Sequence, residues 1–361
     1  MSSSGVTQLL AGVVANVRDE DVPPAARHQV ARLLTDHVGI AVMGCQLTGA
    51  AYARLAAERG GRPEASLLGA GRRVPVELAA GVNAQMCRNT DYEETGPGLH
   101  AGPVVAMTAL AVGERVGASG ASVVTAMAVG YELNAKFFLA HARGDIRHLG
   151  LTAAAVAGRL LDLDPIALNR AMSLAWELPS PSLDFSAPKT PKRISRLGMA
   201  NLVSARHGIE AALLVQHGLD TPTDELDLQP GDHDLAALRT PLAPFEHTAT
   251  SLMLKPWPAS RFSNGCLQLA EQLTQEEVLD PRDIDRVVLH LPDVYLLPHQ
   301  SDPAPDDYWQ AIYSVQWATA MVLLGVPPGP AWFAPDRLAD PVARELAGRV
   351  HLVESPQARS C

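Results

Sequence analysis

The stretch from Gly102 to Ala140, GPVVAMTALAVGERVGASGASVVTAMAVGYELNAKFFLA, decides the fold class. Its alanines, valines and other apolar residues indicate two helical segments, 102–117 and 120–140. Each segment falls short of the about 20 unbroken apolar residues of a membrane span, because charged residues interrupt them, among them Glu114, Glu132 and Lys136. The sequence therefore predicts two buried helices.

Similar segments on either side extend the helical pattern. Those that follow lie at 149–162, 165–177 and 200–217. An earlier helix is predicted from Pro23 and Pro24 to Gly44, because proline suits a first helical turn. Its apolar stripe consists of Val30, Leu33, Leu34, Val38, Ala41 and Val42. We expect a mainly α protein whose residues 1–255 form a large all-helical domain.

The pattern changes after about residue 255. RVVLHLP at 286–292 and RVHLVE at 349–354 predict two strands. Between them a helix is predicted that ends before Gly325, with the stripe Tyr313, Trp317, Ala320, Met321 and Leu324. A mixture of helices and strands after a helical block predicts a smaller α+β domain at 256–361.

Composition narrows the function classes. The 361 residues carry a formal net charge of −10, which argues against a general nucleic-acid binder, since that needs a basic face. The four cysteines form no CxxC pair, so no zinc site or disulfide framework is predicted. The amino terminus lacks a secretion signal. We expect a cytoplasmic protein that acts on a small molecule, without nucleic acid or membrane as a partner.

The densest polar cluster is VNAQMCRNTDYEETGPGLH at 82–100. A turn at Gly96–Gly98 separates its three acids, Asp91, Glu93 and Glu94, from His100. Such a loop can point a carboxylate and an imidazole into one pocket, where they share acid and base roles. A solvated turn with a helix cap is the alternative. A metal site is less favoured, because no paired histidines or HExxH motif occur, and we predict none.

A second cluster, LKPWPASRFSNG at 254–265, places two cations on a turn stiffened by proline. Lys255 and Arg261 can clamp a carboxylate there, because arginine offers a planar fork and lysine a point charge. The alternative is a domain hinge with basic residues that face solvent. Motifs for a nucleophilic serine, a P-loop or a Rossmann dinucleotide site are absent from the sequence.

At these two clusters the sequence resembles the MmgE/PrpD family, which includes 2-methylcitrate dehydratase, cis-aconitate decarboxylase and iminodisuccinate epimerase. Further segments that carry the resemblance are VPPAARHQVARLLTDHVGIAVMG at 22–44, ARHGIEAALLVQHGL at 205–219 and AIYSVQWATAMVLLGV at 311–326. The family implies a large helical domain, a smaller α+β lid, an active site in the cleft between them, and homodimers. It also implies chemistry without a cofactor: no metal, iron–sulfur cluster or nucleotide.

The resemblance also implies site residues. The family's DFDDT…H motif matches Asp91, Thr95 and His100, and its KPYPxCRxxH motif matches Lys255 and Arg261. We therefore expect catalytic roles for Asp91, His100 and Lys255. We expect substrate binding by Thr95, Arg261, His148, Tyr313 and Trp317.

The sequence departs from the family at several positions. Asn264 replaces the final histidine of the second motif, Leu197 stands where the family often has lysine, and Trp317 replaces a tyrosine. A family histidine before the alanine-rich helix matches His141 or His148 only after a gap. The chain ends at Cys361, earlier than is usual in the family. We therefore expect a shortened and divergent member.

The expected function follows from the implied chemistry at a carbon next to a carboxylate. We expect a cofactor-independent lyase, a dehydratase that acts on a hydroxylated small carboxylic acid. An isomerase, an epimerase or a decarboxylase of a specialised metabolite is the first alternative. A non-catalytic pseudoenzyme is the second, because the family's lysine and tyrosine are missing.

Overall fold

The chain folds into two compact units. The computed structural model describes residues 5–96, 100–140, 146–178, 196–231, 233–241, 245–276, 280–292 and 296–355. Within these residues, the first unit runs to Asn89 and takes in Glu93–Leu178 and Leu197–Leu254. The second unit takes in Thr90–Tyr92, Arg196 and the residues from Lys255 onwards.

Helices dominate the first unit. They are α1 (Val6–Asn16), α2 (Pro24–Gln46), α3 (Ala50–Arg59), α4 (Val76–Arg88), α5 (Gly102–Val116), α6 (Gly120–Leu139), α7 (Arg147–Leu160), α8 (Pro165–Glu177), α9 (Arg196–Gln216), α10 (Glu225–Leu228), α11 (Leu235–Leu238) and α12 (Glu246–Thr250), with a 3-10 turn at Asp19–Asp21. A short antiparallel hairpin, β1 (Ala65–Leu67) and β2 (Arg72–Val74), adds a feature that the helical pattern did not predict.

Local sequence explains where these helices begin and end. Helix α8 starts with Pro165, and the Asp164 side chain accepts hydrogen bonds from the backbone amides of Ile166 and Ala167. Helix α5 ends at Gly117, which adopts the left-handed conformation with φ of 66°. The mainly helical fold predicted from the sequence is confirmed. Among the described residues, no helix is long and apolar enough to cross a membrane.

Small residues let the central helices approach closely. Helix α5 packs against α4, α6 and α7. At Gly130 on α6, an added Cβ would lie 2.7 Å from Val156 and 3.0 Å from Val105, so only glycine fits where these three helices meet. The core of this unit therefore depends on alanine and glycine, with a few large buried side chains such as Phe137 and Trp176.

The second unit combines helices with a small sheet. Its elements are α13 (Asn264–Glu276), β3 (Val287–Leu291), α14 (Tyr308–Ala311), α15 (Val315–Leu323), α16 (Pro335–Leu338), α17 (Pro341–Gly348) and β4 (Val350–Glu354), with 3-10 turns at Arg261–Ser263, Pro281–Asp283 and Pro330–Phe333. The two strands are parallel, with Val287 opposite Val350 and Leu291 opposite Glu354. Helix α15 packs against α13 and α17. The predicted α+β character is confirmed, while its role as a lid stays a prediction.

Candidate active site

Two of the predicted catalytic residues form an ion pair within the second unit. Lys255 Nζ lies 3.7 Å from Asp91 Oδ2 and donates a hydrogen bond of 2.5 Å to the Asp91 backbone carbonyl. It also lies 3.5 Å from the Ala259 carbonyl. Both residues are buried, each 4% exposed. The lysine therefore balances the Asp91 charge in a place where water cannot.

The segment on either side of this pair is fixed by a second contact. The hydroxyl of Tyr92 donates a 2.8 Å hydrogen bond to the Pro256 carbonyl. Tyr92 and Pro256 directly follow Asp91 and Lys255 in the chain. The two predicted clusters, which lie more than 150 residues apart, thus meet through two adjacent contacts. The structure brings Asp91 and Lys255 together as the sequence predicted.

A second charged group lies in the first unit and centres on Glu93. Its Oε1 lies 3.1 Å from Arg88 Nη1 and 2.6 Å from His100 Nδ1. The glutamate side chain is fully buried and that of Arg88 is 4% exposed, whereas that of His100 is 20% exposed. The carboxylate thus lies between a guanidinium and the imidazole that the sequence predicted as catalytic.

The third acid, Glu94, is held by a different helix. Its Oε2 lies 2.9 Å from His37 Nε2 on α2, and its Oε1 accepts a 2.9 Å hydrogen bond from the backbone amide of Gly102. His37 Nδ1 donates to the Leu33 carbonyl at 2.6 Å. Burial alone would lower the pKa of His37, but the negative charge of Glu94 and the hydrogen bonds raise it to about 9. His37 is therefore a buried imidazolium at neutral pH.

Two of the predicted catalytic residues have unusual backbone conformations. Asp91 has φ of 46° and His100 has φ of 63°, both in the left-handed region. Only three other non-glycine residues share that region in the part of the chain that the structure describes. Such conformations cost about 1–3 kcal/mol and persist where the surroundings enforce them, which is common at functional sites.

Thr95 lies in the first unit and Arg261 in the second. The backbone amide and carbonyl of Thr95 form a two-bond antiparallel bridge with Met253, at 2.9 and 2.8 Å. Arg261 begins the 3-10 turn that precedes α13 and is half-buried. The bridge between Thr95 and Met253 fixes the acidic loop, residues 91–95, next to the segment that leads to Lys255. Arg261 places a cation on the predicted turn.

The remaining predicted binding residues lie in aromatic surroundings. His148 stacks on Phe137 with ring centroids 5.8 Å apart, and the ring edge of Tyr313 meets His299 in the second unit. Trp317 is fully buried, and its indole N–H donates a 3.0 Å hydrogen bond to the Trp332 carbonyl. This placement favours a packing role for Trp317 over the predicted substrate contact. The side chain of Leu197 and all of His141 lie outside the described residues.

The sequence analysis did not find the cations that hold Glu93 and Glu94. His37 lies on the buried face of α2 four residues after Leu33, so a histidine in an apolar stripe was the available signal. Arg88 ends α4 five residues before Glu93, with no pattern to mark it as buried. Burial and nearby carboxylates raise the pKa of the Cys87 thiol, which disfavours the reactive thiolate.

Each acid of the loop therefore has a cationic partner. Asp91 has Lys255, Glu93 has Arg88, and Glu94 has protonated His37. The positive charges of these partners compensate the carboxylates. The arrangement suits proton transfer, because it holds an imidazole and a carboxylate in fixed, partly dehydrated positions.

A separate cavity of about 630 Å³ lies at the ends of α1, α5, α7 and α9 in the first unit. Arg159 and Asp162 are among its lining residues, and none of the predicted site residues is. Its lining holds no histidine and no cysteine. This cavity is therefore distinct from the predicted site residues.

Comparisons with known proteins agree with the resemblance. The model of the MmgE/PrpD N-terminal domain matches residues 8–237, and that of the MmgE/PrpD C-terminal domain matches residues 257–360. A cis-aconitate decarboxylase from Mus musculus is 24% identical over 396 aligned residues, which cover 99% of this chain and 77% of the mouse protein. A cis-aconitate decarboxylase from Homo sapiens is 27% identical over 313 residues, which cover 79% of this chain and 63% of the human protein.

Both relatives are lyases by name, and the two family models together span most of the chain. The fold described above, mainly helical with a smaller α+β part, agrees with them. This chain belongs to the MmgE/PrpD family.

Proposed function

We propose that the chain is a cofactor-independent lyase, a dehydratase of a hydroxylated small carboxylic acid. The observation that carries the proposal is the pairing of Glu93 with His100 at 2.6 Å, where Glu93 lies two residues after Asp91 of the Asp91–Lys255 pair. The proposal takes Asp91 and His100 as the two proton-transferring groups.

The proposed reaction starts at the carbon next to the substrate carboxylate. Asp91 takes the proton from that carbon, and the electron pair of the broken C–H bond forms a C=C bond. The hydroxyl group leaves from the neighbouring carbon with its bonding electrons. His100, protonated and held beside Glu93, gives it a proton, so water is released and both atoms and electrons balance.

Cations take up the negative charge that develops on the substrate carboxylate during this step. Arg261 is proposed to bind the carboxylate, because a guanidinium offers two parallel donors. Lys255 has its side chain fully buried against Asp91, so its proposed role is to hold that base in place. This differs from the carboxylate clamp expected from the sequence. Thr95, whose backbone is bound to Met253, is proposed to contribute its hydroxyl.

A decarboxylase is the second candidate, and the names of the two relatives favour it. In that reaction the bond between a carbon and its carboxylate breaks. CO₂ leaves, the electron pair stays on the carbon, and His100 supplies the proton that replaces it. The same imidazole and cations serve both reactions, so the substrate decides between them.

The test is proton exchange in D₂O, followed by NMR, with a panel of small hydroxy acids and cis-aconitate. For the dehydratase, the proposal predicts loss of water together with exchange of deuterium into the remaining substrate at the carbon next to a carboxylate. For the decarboxylase, it predicts loss of CO₂ and deuterium in the product at the carbon that carried the lost carboxylate. His100→Asn should abolish the signal, while the same change at His28, an exposed residue of α2, should not. If no acid of the panel exchanges or reacts, the chain is a non-catalytic member and the proposal fails.

A further inference from the structure

Glu93 is a buried carboxylate that transfers no proton in the reaction proposed above. Its Oε1 is shared between Arg88 at 3.1 Å and His100 at 2.6 Å, while its own side chain is fully buried. A buried carboxylate costs several kcal/mol unless charges compensate it. The chain therefore keeps the Glu93 carboxylate next to the imidazole although its burial is unfavourable.

The backbone around Glu93 is fixed on both sides. On one side Asp91 is bound by Lys255, and on the other Thr95 is bridged to Met253. The next residue, Glu94, is tied to Gly102 and to His37. Glu93 therefore cannot move away from His100 without breaking several buried contacts.

His100 is held from its own side as well. Its φ of 63° turns the chain sharply, and its backbone carbonyl accepts a 3.4 Å hydrogen bond from Asn201 on α9. The ring presents Nδ1 to Glu93, and a carboxylate beside Nδ1 favours the form in which this nitrogen carries hydrogen. Nε2 is then the atom that exchanges a proton with substrate.

We propose that Glu93 is the positioning residue of His100: it fixes the imidazole with hydrogen on Nδ1 and stabilises the charged ring, while Arg88 compensates the Glu93 charge. The proposal rests on the proposed role of His100 in proton transfer. The described charged groups of the first unit that enter it are Glu93 and Arg88 at the end of α4. Asn201, which reaches the His100 backbone from α9, is neutral.

The test measures the pKa of His100 directly and needs no substrate. The imidazole C2 hydrogen exchanges slowly with deuterium, and mass spectrometry of the His100 peptide over a pH series gives the pKa. In Glu93→Gln, the shape is kept and the charge is lost, so the pKa of His100 should fall by about 1 unit or more. Glu94→Gln is the matched control: it should leave the His100 value in place and lower that of His37.

In a second variant the expected shift in the pKa of His100 has the opposite sign, and this variant tests the proposal if Glu93→Gln does not fold. Arg88→Met removes a positive charge near the imidazole, so the pKa of His100 should rise. Circular dichroism checks that each variant is folded. An unchanged His100 value in the folded variants, or an equal fall in Glu94→Gln, would overturn the proposal.

The kinetic readout separates this proposal from the proposed function. If the enzyme is active, the limb of the kcat–pH profile that belongs to His100 should shift with its pKa in Glu93→Gln, while KM changes less. A purely structural role would lower kcat without moving the limb. If no substrate is found but the pKa shifts as expected, the proposed function fails and the positioning role of Glu93 stands.

Discussion

His100 is the residue on which the proposed chemistry depends most. It is 20% exposed, in contrast to its fully buried partner Glu93, so a substrate can reach it. We expect His100→Asn to lower kcat by about 10²–10⁴-fold, the usual contribution of a general acid or base, with a small effect on KM. Steady-state kinetics checks this, with His28→Asn as the control. A large rise in KM at constant kcat would make His100 a binding residue instead.

A substitution of Lys255 tests its ion pair with Asp91 in the second unit. Its side chain is fully buried beside Asp91, so Lys255→Met leaves a buried carboxylate without its partner. We expect a loss of about 3–5 kcal/mol in the free energy of unfolding. Urea denaturation measures it.

A companion variant also removes the charge of Asp91, which Lys255→Met leaves buried without its partner. Adding Asp91→Asn to Lys255→Met should recover part of the lost stability, because the remaining group is neutral. Asp285→Asn, at an exposed position, is the control for the aspartate substitution. If the double variant is as unstable as the sum of the two single variants, the ion pair is not a coupled unit.

At the scale of elements, the start of α5 is shaped by the loop before it. Alanine is usually the better helix former by about 1 kcal/mol. At Gly102, however, a Cβ would collide with the Glu94 carboxylate and the His37 ring. We therefore expect Gly102→Ala to destabilise the protein in urea denaturation. Gly120→Ala, also at the first residue of a helix but with open space around it, should be neutral or stabilising.

The contact between α2 and the acidic loop predicts a dependence of stability on pH. The pKa of His37 is raised from about 6.5 to about 9 by Glu94. A raised pKa means that the stabilisation is fully present below pH 6.5 and is lost as pH rises through 9. A shift of this size corresponds to about 3 kcal/mol.

The measurement is the free energy of unfolding in urea from pH 6 to 10. The wild type should lose stability across this range, and His37→Gln should lose clearly less. Cys87 and Tyr131 also have raised pKa values, but both proteins contain them, so their effect cancels in the difference. Parallel curves for the two proteins would contradict the assignment of a buried imidazolium.

The elements themselves were largely predictable from the sequence. The helices predicted at 102–117, 120–140 and 165–177 appear within one residue of those bounds at both ends. They were found because alanine-rich segments with clear caps leave few alternatives. The hairpin β1–β2 was missed, since strands of three residues are too short for an alternating pattern.

The site was predictable only in part, and for a physical reason. Asp91, His100 and Lys255 lie in polar clusters that stand out from an apolar sequence. Arg88 and His37 do not, because their importance comes from burial next to a carboxylate, and burial is decided by tertiary packing. Substrate binding by Trp317 stays a prediction; its position in a helix gave no indication that its indole N–H donates to the Trp332 carbonyl.

At the scale of the whole molecule, the oligomeric state stays a prediction. The family resemblance implies a homodimer, so light scattering coupled to size-exclusion chromatography should give twice the mass of one chain. The mass should not change upon dilution to low micromolar concentration if the dimer is permanent. A mass of one chain at every concentration would contradict this expectation.

The contact between Lys255 and Asp91 joins residues 164 positions apart, and this separation affects how the protein matures. During translation, Glu93 and Glu94 can meet Arg88 and His37 soon after residue 102 leaves the ribosome. Asp91 has to wait until Lys255 has been made, and so does the bridge between Thr95 and Met253. The acidic loop of the nascent chain therefore stays unfinished while the 164 positions from Asp91 to Lys255 are synthesised, and the proposed activity can begin only after that.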